Sequence, residues 1–245
     1  MKTQKKTTNL VRLNKYLADS GIDSRRKVEE LIITGRIEIN GKTETELSAK
    51  VDPAKDIVSV DGEKIRQTEK VYYILNKPKG YITTTDDEKN RPIVMELIKT
   101  SKRIFPIGRL DRDTTGLLIL TNDGDFANLL MHPKNGIERE YVVKLDREIL
   151  DKDKEKFLAG VYLDRKKSTF ERLFTVSKKS TKYYNVVTME GRYHFVKKMF
   201  NALGYQVETL HRIRFGSFEL QNIKIGTYIK LDKKIIEMFI ETHAK

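Results

Sequence analysis

Residues 117–120 read Leu-Leu-Ile-Leu, and threonines stand on either side at Thr115 and Thr121. Such a run lacks the polar alternation of a half-solvated strand and is shorter than a packed helix needs. It predicts a buried strand over Leu117–Thr121. No segment approaches the ~18 apolar residues of a membrane span. A core is affordable all the same: 38% of the 245 residues are hydrophobic, enough for one large domain or for a small domain and a medium one.

The rest of the chain supplies short strands and helices in no regular alternation. The segments "VYYILNK", "REYVVKL", "IRFGSFEL" and "TYIKLD" read as strands, and several short strands are expected over residues 168–190. Pro92 opens a short helix in "RPIVMELI", and Asn122 or Asp123 caps a helix that His132-Pro133 ends. "DKDKEKFLAGV" and "KKIIEMFIETH" are further helices, the first closed by Gly160. "GRYHFVKKMFNALG" is an amphipathic helix with Phe195, Met199, Ala202 and Leu203 on one face and Gly204 as its stop. Strands in excess of helices, without βα alternation, imply an α+β fold with a largely antiparallel sheet.

The first 70 residues differ in character. Residues 1–9 read as a loose tail. Leu13, Tyr16 and Leu17 fall at helical spacing, Ser24 can cap a second helix through Ile33, and Asn40-Gly41 and Asp61-Gly62 are hairpin signals. Arg25 and Arg26 sit in the first turn of that second helix, where a cation costs about 0.3–1 kcal/mol against the macrodipole. Residues 1–42 hold ten Lys/Arg against five Asp/Glu, whereas residues 43–70 hold five against seven. A phosphate backbone lying on the helical half would offset that cost. The whole chain carries a formal charge of +13, which favours a polyanion. "GEKIRQTEK" reads as a charged linker.

Asp111 stands between Arg109 and Arg112 at the entrance to the apolar strand. Burial would raise the pKa of a carboxylate there unless a cation compensates, and a partner distant in sequence suits better than neighbours one or two residues away. Kept ionised, such a group can be a base, a nucleophile or a structural anchor. The absence of cysteine and the unpaired spacing of four histidines exclude thiolate zinc sites and disfavour a catalytic metal. There is no P-loop and no G-x-G-x-x-G. With no signal peptide, the chain reads as cytoplasmic.

Two resemblances take these observations further. "RLNKYLADSGIDSRRKVEELIITGRIEINGK" resembles the S4 RNA-binding domain, which implies RNA contacts by Arg12, Lys15, Ser24, Arg25, Arg26 and Arg36. "GRLDRDTTGLLILTND" resembles the signature of ribosomal-RNA pseudouridine synthases of the RsuA type, and "LNKPKGYITTTDD", "REYVVKL" and "EGRYHFVKKMF" fit that family in the same order. Together they divide the chain into an S4-like domain at 10–60, a linker at 61–70 and a catalytic domain at 71–245.

The resemblance implies a reaction without cofactor or metal, in which a uridine is flipped out of its helix and converted to pseudouridine. It makes Asp111 the catalytic aspartate, Tyr141 the residue stacking on the uracil and Lys197 the cation paired with Asp111, with Arg192 as the other candidate partner. Arg109 and Thr115 would support the substrate. Phe195 stands where the family commonly has glutamine. "GRYHFVKKMF" and "LHRIRFG" look closer to the branch acting on 16S rRNA, with 23S rRNA as the alternative. A non-enzymatic S4 protein is a further alternative, disfavoured by the intact "GRLD". The implied partner is ribosomal RNA or a ribosome-assembly intermediate, with the protein a monomer away from membranes.

Overall fold

In a computed structural model, which describes residues 10–177 and 180–243, the apolar run lies within the strand Thr115–Thr121. That strand sits inside a sheet ordered Arg172–Ser177, Ser180–Thr188, Arg139–Leu145, Val207–Phe215, Thr115–Thr121, Tyr72–Lys77, Tyr228–Lys230. Two short strands, Phe105–Pro106 and Phe218–Glu219, pair at its sides. The fold is α+β, as expected.

The reason the run does not alternate is now physical. Successive side chains of a strand point to opposite faces, and here both faces are covered. Leu118 and Leu120 enter a core that also holds Tyr73, Leu75, Phe157, Phe195, Met199 and Phe200. Leu117 and Ile119 enter a second core with Tyr72, Ile74, Phe126, Phe215 and Phe239. The helices Asp151–Ala159 and Phe195–Ala202 thus serve the first face, and Gly124–Met131 and Lys233–His243 the second. Asp123 starts the helix Gly124–Met131 by accepting from the amides of Asp125 and Phe126.

Several expectations shift by a residue or a turn. The helix Phe195–Ala202 buries Phe195, Val196, Met199 and Phe200, while Ala202 is exposed. Its contact face follows the 195/199 and 196/200 pairs of the i, i+4 rule, not the row ending at Ala202. The short helix after Pro92 is a 3-10 turn at Val94–Leu97. Residues 168–190 hold two long strands, paired antiparallel, rather than several short ones. The expected tail at residues 1–9 lies outside the described residues, as do residues 178–179.

The chain divides into two compact units. One comprises the residues up to Lys70 with Ser101–Arg103, and the other Val71–Thr100 with the chain from Ile104. The first holds the helices Leu13–Asp19 and Arg25–Ile33 over a four-stranded sheet. Ser24 caps the second helix by accepting from the Lys27 amide. Strands Ile37–Ile39 and Lys42–Glu44 are joined at Asn40-Gly41, whose φ angles are 54° and 78°. The segment expected as a linker carries the strand Glu63–Lys64, turned back at Asp61-Gly62 onto Val58–Val60, and Ile65 packs on this unit's core.

One pairing in the large sheet is parallel. Thr115 and Gly116 lie beside His211 and Arg212. The two backbones approach so closely that a Cβ on Gly116 would collide with the Arg212 carbonyl oxygen and lie 2.7 Å from the Arg212 nitrogen. Gly116 also has φ of 106°, a value that side chains disfavour. Gly116→Ala is therefore expected to destabilise the protein by about 3 kcal/mol or more, seen as a large fall in melting temperature. A variant melting within two degrees of the parent would show that this seam yields.

Candidate active site

Asp111 begins a tight turn, with the Thr114 amide donating to its carbonyl at 3.1 Å. The turn is held from behind by Lys77, the last residue of the strand Tyr72–Lys77. Lys77 has no exposed surface. Its ammonium donates to the carbonyl oxygens of Thr114 at 2.9 Å, Asp111 and Pro78 at 3.1 Å, and Arg112 at 3.3 Å. The Gly80 amide donates to the Arg112 carbonyl as well, and the Thr83 hydroxyl to that of Leu110. Four carbonyls facing one another would repel without a cation among them. Burial lowers the Lys77 pKa to about 8, against the opposing pull of the Asp111 and Asp113 charges.

The Asp111 carboxylate has a basic group on each oxygen. Lys197 Nζ lies 2.8 Å from Oδ2, and His194 Nε2 lies 3.1 Å from Oδ1. Lys197 is thus the distant cation that the resemblance implied, and it comes from the helix Phe195–Ala202. Arg192 is not a partner of Asp111: it pairs with Glu190 at 2.6 Å and donates to the Ser168 hydroxyl. The carboxylate is 27% exposed and Lys197 28%, so the pair faces a cavity and is not sealed in the core.

His194 was not anticipated from the sequence. It occupies the N-cap of that helix in the left-handed region, at φ 54° and ψ 26°. A non-glycine residue pays for that conformation, by roughly 1 kcal/mol or more. Tyr193 stacks on its imidazole, centroids 3.7 Å apart. Sequence offered one signal, an apolar helix preceded by a polar residue at the cap position, but not the ring's target.

The cavity beside Asp111 measures about 560 Å³, within the usual range for a small-molecule site. Tyr141, Phe195, Val196, Leu210 and Phe215 form apolar wall, and Arg109, Lys166 and Arg192 add charge. Tyr141 is 8% exposed and belongs to the core as well as to the cavity lining. A register shift between Glu140 and Tyr141 marks a bulge beside it, a device that re-aims side chains near active sites. Arg109 is exposed and makes no hydrogen bond or ion pair among the described residues. Phe195 meets Phe170 edge-on at 6.1 Å and lies under the Arg192 guanidinium, giving the cavity an apolar wall.

Thr115 is displaced from its expected role. Its hydroxyl bonds His211 Nδ1 at 2.7 Å and does not line the cavity. Thr114 does, with its hydroxyl 3.4 Å from Asp111 Oδ2. The strand begins at Thr115, so neighbouring threonines face different surroundings.

In the smaller unit the residues expected to touch RNA divide by what already engages them. Arg36 is held by Asp61, with Nε donating at 2.9 Å. Lys15 pairs with Asp19, and Arg12 donates to the Leu47 carbonyl. Ser24 is the helix cap. Arg25 and Arg26 are exposed and have no ion pair or hydrogen bond among the described residues. They are the two placed to meet an external anion.

Comparison with known proteins identifies the family. The model of the RNA pseudouridylate synthase family matches residues 71–202, and that of the S4 domain matches residues 11–58. The chain is 41% identical over 223 residues to ribosomal large subunit pseudouridine synthase B of Bacillus subtilis (strain 168), covering 88% of this chain and 89% of that protein. It is 37% identical over 233 residues to the dual-specificity RNA pseudouridine synthase RluF of Shigella flexneri, covering 94% and 78%. A crystal structure of pseudouridylate synthase matches with a TM-score of 0.67 and 29% identity, over 93% of this chain and 98% of that one. The chain belongs to the RNA pseudouridine synthases, isomerases of the pseudouridylate synthase fold, and carries an S4 domain before the synthase fold.

Lys77 generates a pH test. Below about pH 8 its ammonium offers a positive charge and three N–H donors to the four carbonyls; above it a neutral amine offers two donors and no charge. Turnover should fall along an alkaline limb near pH 8. Stability follows the opposite sign: from about pH 8 to 10.5 the unfolded chain keeps a proton that the folded chain has lost, so this group's contribution rises with pH. Lys77→Met should cost roughly 3 kcal/mol and lower turnover at least ~10-fold through the displaced turn. A flat pH–rate profile from 7 to 9.5 would show that Lys77 keeps its proton.

Proposed function

We propose that this protein isomerises a uridine of 23S rRNA to pseudouridine, with Asp111 as the reacting carboxylate. The observation that carries the chemistry is Asp111 itself, aimed into the cavity with Lys197 on one oxygen and His194 on the other. Two basic partners orient the group, as a nucleophile or base requires. The C1′–N1 bond of the uridine breaks, the uracil turns within the cavity, and C5 bonds to C1′. Asp111 assists by attack on C1′, by removal of the C2′ proton or by addition to C6.

Tyr141 stacks on the extruded uracil. Arg109 and Arg192, near the cavity's edge, hold the flanking phosphates, as rim cations of a polyanion site do. Arg25 and Arg26 anchor structured RNA from the S4 domain. The enzyme works as a monomer in the cytoplasm, on rRNA or an assembly intermediate.

The choice of subunit rests on relatedness. The 41%-identical relative is named for the large ribosomal subunit, which favours the 23S alternative over the 16S expectation drawn from "GRYHFVKKMF" and "LHRIRFG". The first of those stretches holds Phe195, where this chain departs from the family's common glutamine, so it is a weak guide to the target. Pseudouridine maps of 16S and 23S rRNA, from cells with and without this gene, decide the point. One 23S position should lose its modification in the deletion. A loss confined to 16S would reverse the assignment.

Asp111→Asn should abolish isomerisation and leave RNA affinity within a few-fold, because the amide keeps the shape and removes the charge. Turnover at a tenth of the parent rate would exclude Asp111 as the reacting group.

Arg25→Glu combined with Arg26→Glu should weaken rRNA binding at least ~10-fold and reduce the salt slope by about two. Both positions are exposed, so the melting temperature should hold. An unchanged salt slope would remove the pair from the RNA interface.

A further inference from the structure

Two arginines in the cavity lining have no counter-charge. Arg139 is 8% exposed and Arg212 2%. Arg139 Nη1 donates to the carbonyls of Met189 at 2.8 Å and Ile137 at 3.2 Å, and Arg212 Nε donates to that of Leu117 at 2.7 Å. Arg212 Nη2 is buried without a hydrogen-bond partner among the described residues. Both guanidinium groups lie against Phe215, 4.6 Å and 5.0 Å from its ring centre. Neither pairs with a carboxylate among the described residues. Arg214, two residues along the same strand, is treated quite differently: Glu138 and Glu140 each hold it at 2.9 Å.

Buried charges are ordinarily paired, because leaving water without a partner is costly. Two like charges side by side make matters worse. Burial lowers the Arg139 pKa, and the charge of Arg212 acts in the same direction. Arginine nonetheless stays protonated at neutral pH. The cavity therefore carries a standing positive potential beside Phe215, close to where Tyr141 and Asp111 also line it.

We propose that Arg139 and Arg212 form the floor of the base-binding cavity and stabilise the negative charge that uracil acquires as its C1′–N1 bond breaks. The proposal rests on the pseudouridine synthase function above. In the step concerned, the bond's electron pair leaves with the base and spreads over N1, O2 and O4. The electron demand at the sugar is met by Asp111, either through a new carboxylate–C1′ bond or through transfer of the C2′ proton to the carboxylate. C5 of the uracil anion then bonds to C1′ with its own electron pair, as the carboxylate–C1′ bond breaks or the C2′ proton returns from Asp111, and the C5 proton passes to solvent. The arginines act on the interval in which the base is anionic.

The alternative anion is a backbone phosphate, and the surroundings disfavour it. Tyr141, Phe195, Leu210 and Phe215 wall the cavity with apolar surface, which suits a flat neutral ring and not a hydrated phosphate. Exposed Lys166 and Arg109 are available for phosphates without burial. A uracil enters uncharged and turns anionic only on reaction, so the arginines favour the transition state over the ground state, which is what raises a rate.

The test uses full-length protein and a minimal RNA carrying the mapped target, made with uridine or with 5-fluorouridine at that position. Fluorine stabilises the departing anion and so replaces part of what the arginines supply. Single-turnover cleavage of the C1′–N1 bond is measured at saturating enzyme. Arg212→Gln should slow the uridine substrate by ~10²-fold or more. The 5-fluorouridine to uridine rate ratio should rise at least tenfold over the parent's. That ratio is taken within one preparation, so loss of folded protein cancels; Arg139→Gln provides the same measurement if Arg212→Gln does not fold. Equal losses on both substrates would make the arginines ties between strands and overturn the proposal, with the synthase function intact. Absence of turnover by the parent enzyme would overturn both. A ratio that rises with Arg192→Gln as much as with the buried pair would also overturn it, since any cavity cation would then serve.

Discussion

The ammonium of Lys77 ties two distant segments of chain, the end of its own strand and the Asp111 turn, into one object. Its strand ends at the point where the polypeptide turns away through Pro78, and its side chain reaches into the back of the Asp111 turn. Carbonyl oxygens of the turn converge there, and a buried cation with four acceptors offsets much of its own desolvation. The front of the same turn presents the carboxylate to Lys197 and His194. The sheet core thus fixes the back of the turn, and a helix fixes its front. The carboxylate needs no rigid packing of its own and stays open to the cavity.

Electrostatic asymmetry follows from that arrangement. The cavity is lined by Arg109, Arg139, Lys166, Arg192, Lys197 and Arg212, against the carboxylates of Asp111 and Glu190. An RNA approaches such a mouth with favourable long-range attraction. An isolated carboxylate would repel phosphates; one embedded among cations does not. Glu190 holds Arg192 and lies 3.8 Å from Lys166, which orients two of these cations without cancelling the field. Charge is partitioned by depth: Arg109 and Lys166 are exposed, while Arg139 and Arg212 are buried.

Much of this was legible in the sequence wherever the cause is local. The missing alternation at Leu117–Leu120 reported a strand covered on both faces, and Asn40-Gly41 and Asp123 acted where their own backbone and side-chain chemistry directs. The pairing of Lys197 with Asp111 is 86 residues long in sequence; no periodicity reports it, and resemblance alone brought it forward. Lys77 was invisible for a related reason, since its partners are backbone carbonyls that leave no mark in side-chain identity. His194 depended on a left-handed backbone at the helix cap. The exchange of Thr115 for Thr114 is a parity error: the turn ends and the strand begins between them, and one residue reverses the direction of a side chain. Ala202 was misplaced because a helical face drifts, and Phe200 falls where the core lies.

The close seam at Gly116 explains why these parts can serve a single cavity. A parallel pair of strands brings corresponding ends side by side, whereas antiparallel neighbours bring opposite ends together. Because Thr115–Thr121 and Val207–Phe215 run parallel, the turn that precedes the first strand lies near the segment that leads up to Arg212. Tyr141 pairs with Arg212 from the other side, so the aromatic ring, the buried guanidinium and the Asp111 turn come from three adjoining strands at one level of the sheet. An antiparallel seam would have carried Asp111 to the opposite end. The parallel pairing of these two strands is thus a condition for the site, and the lack of a side chain at Gly116 is what permits it.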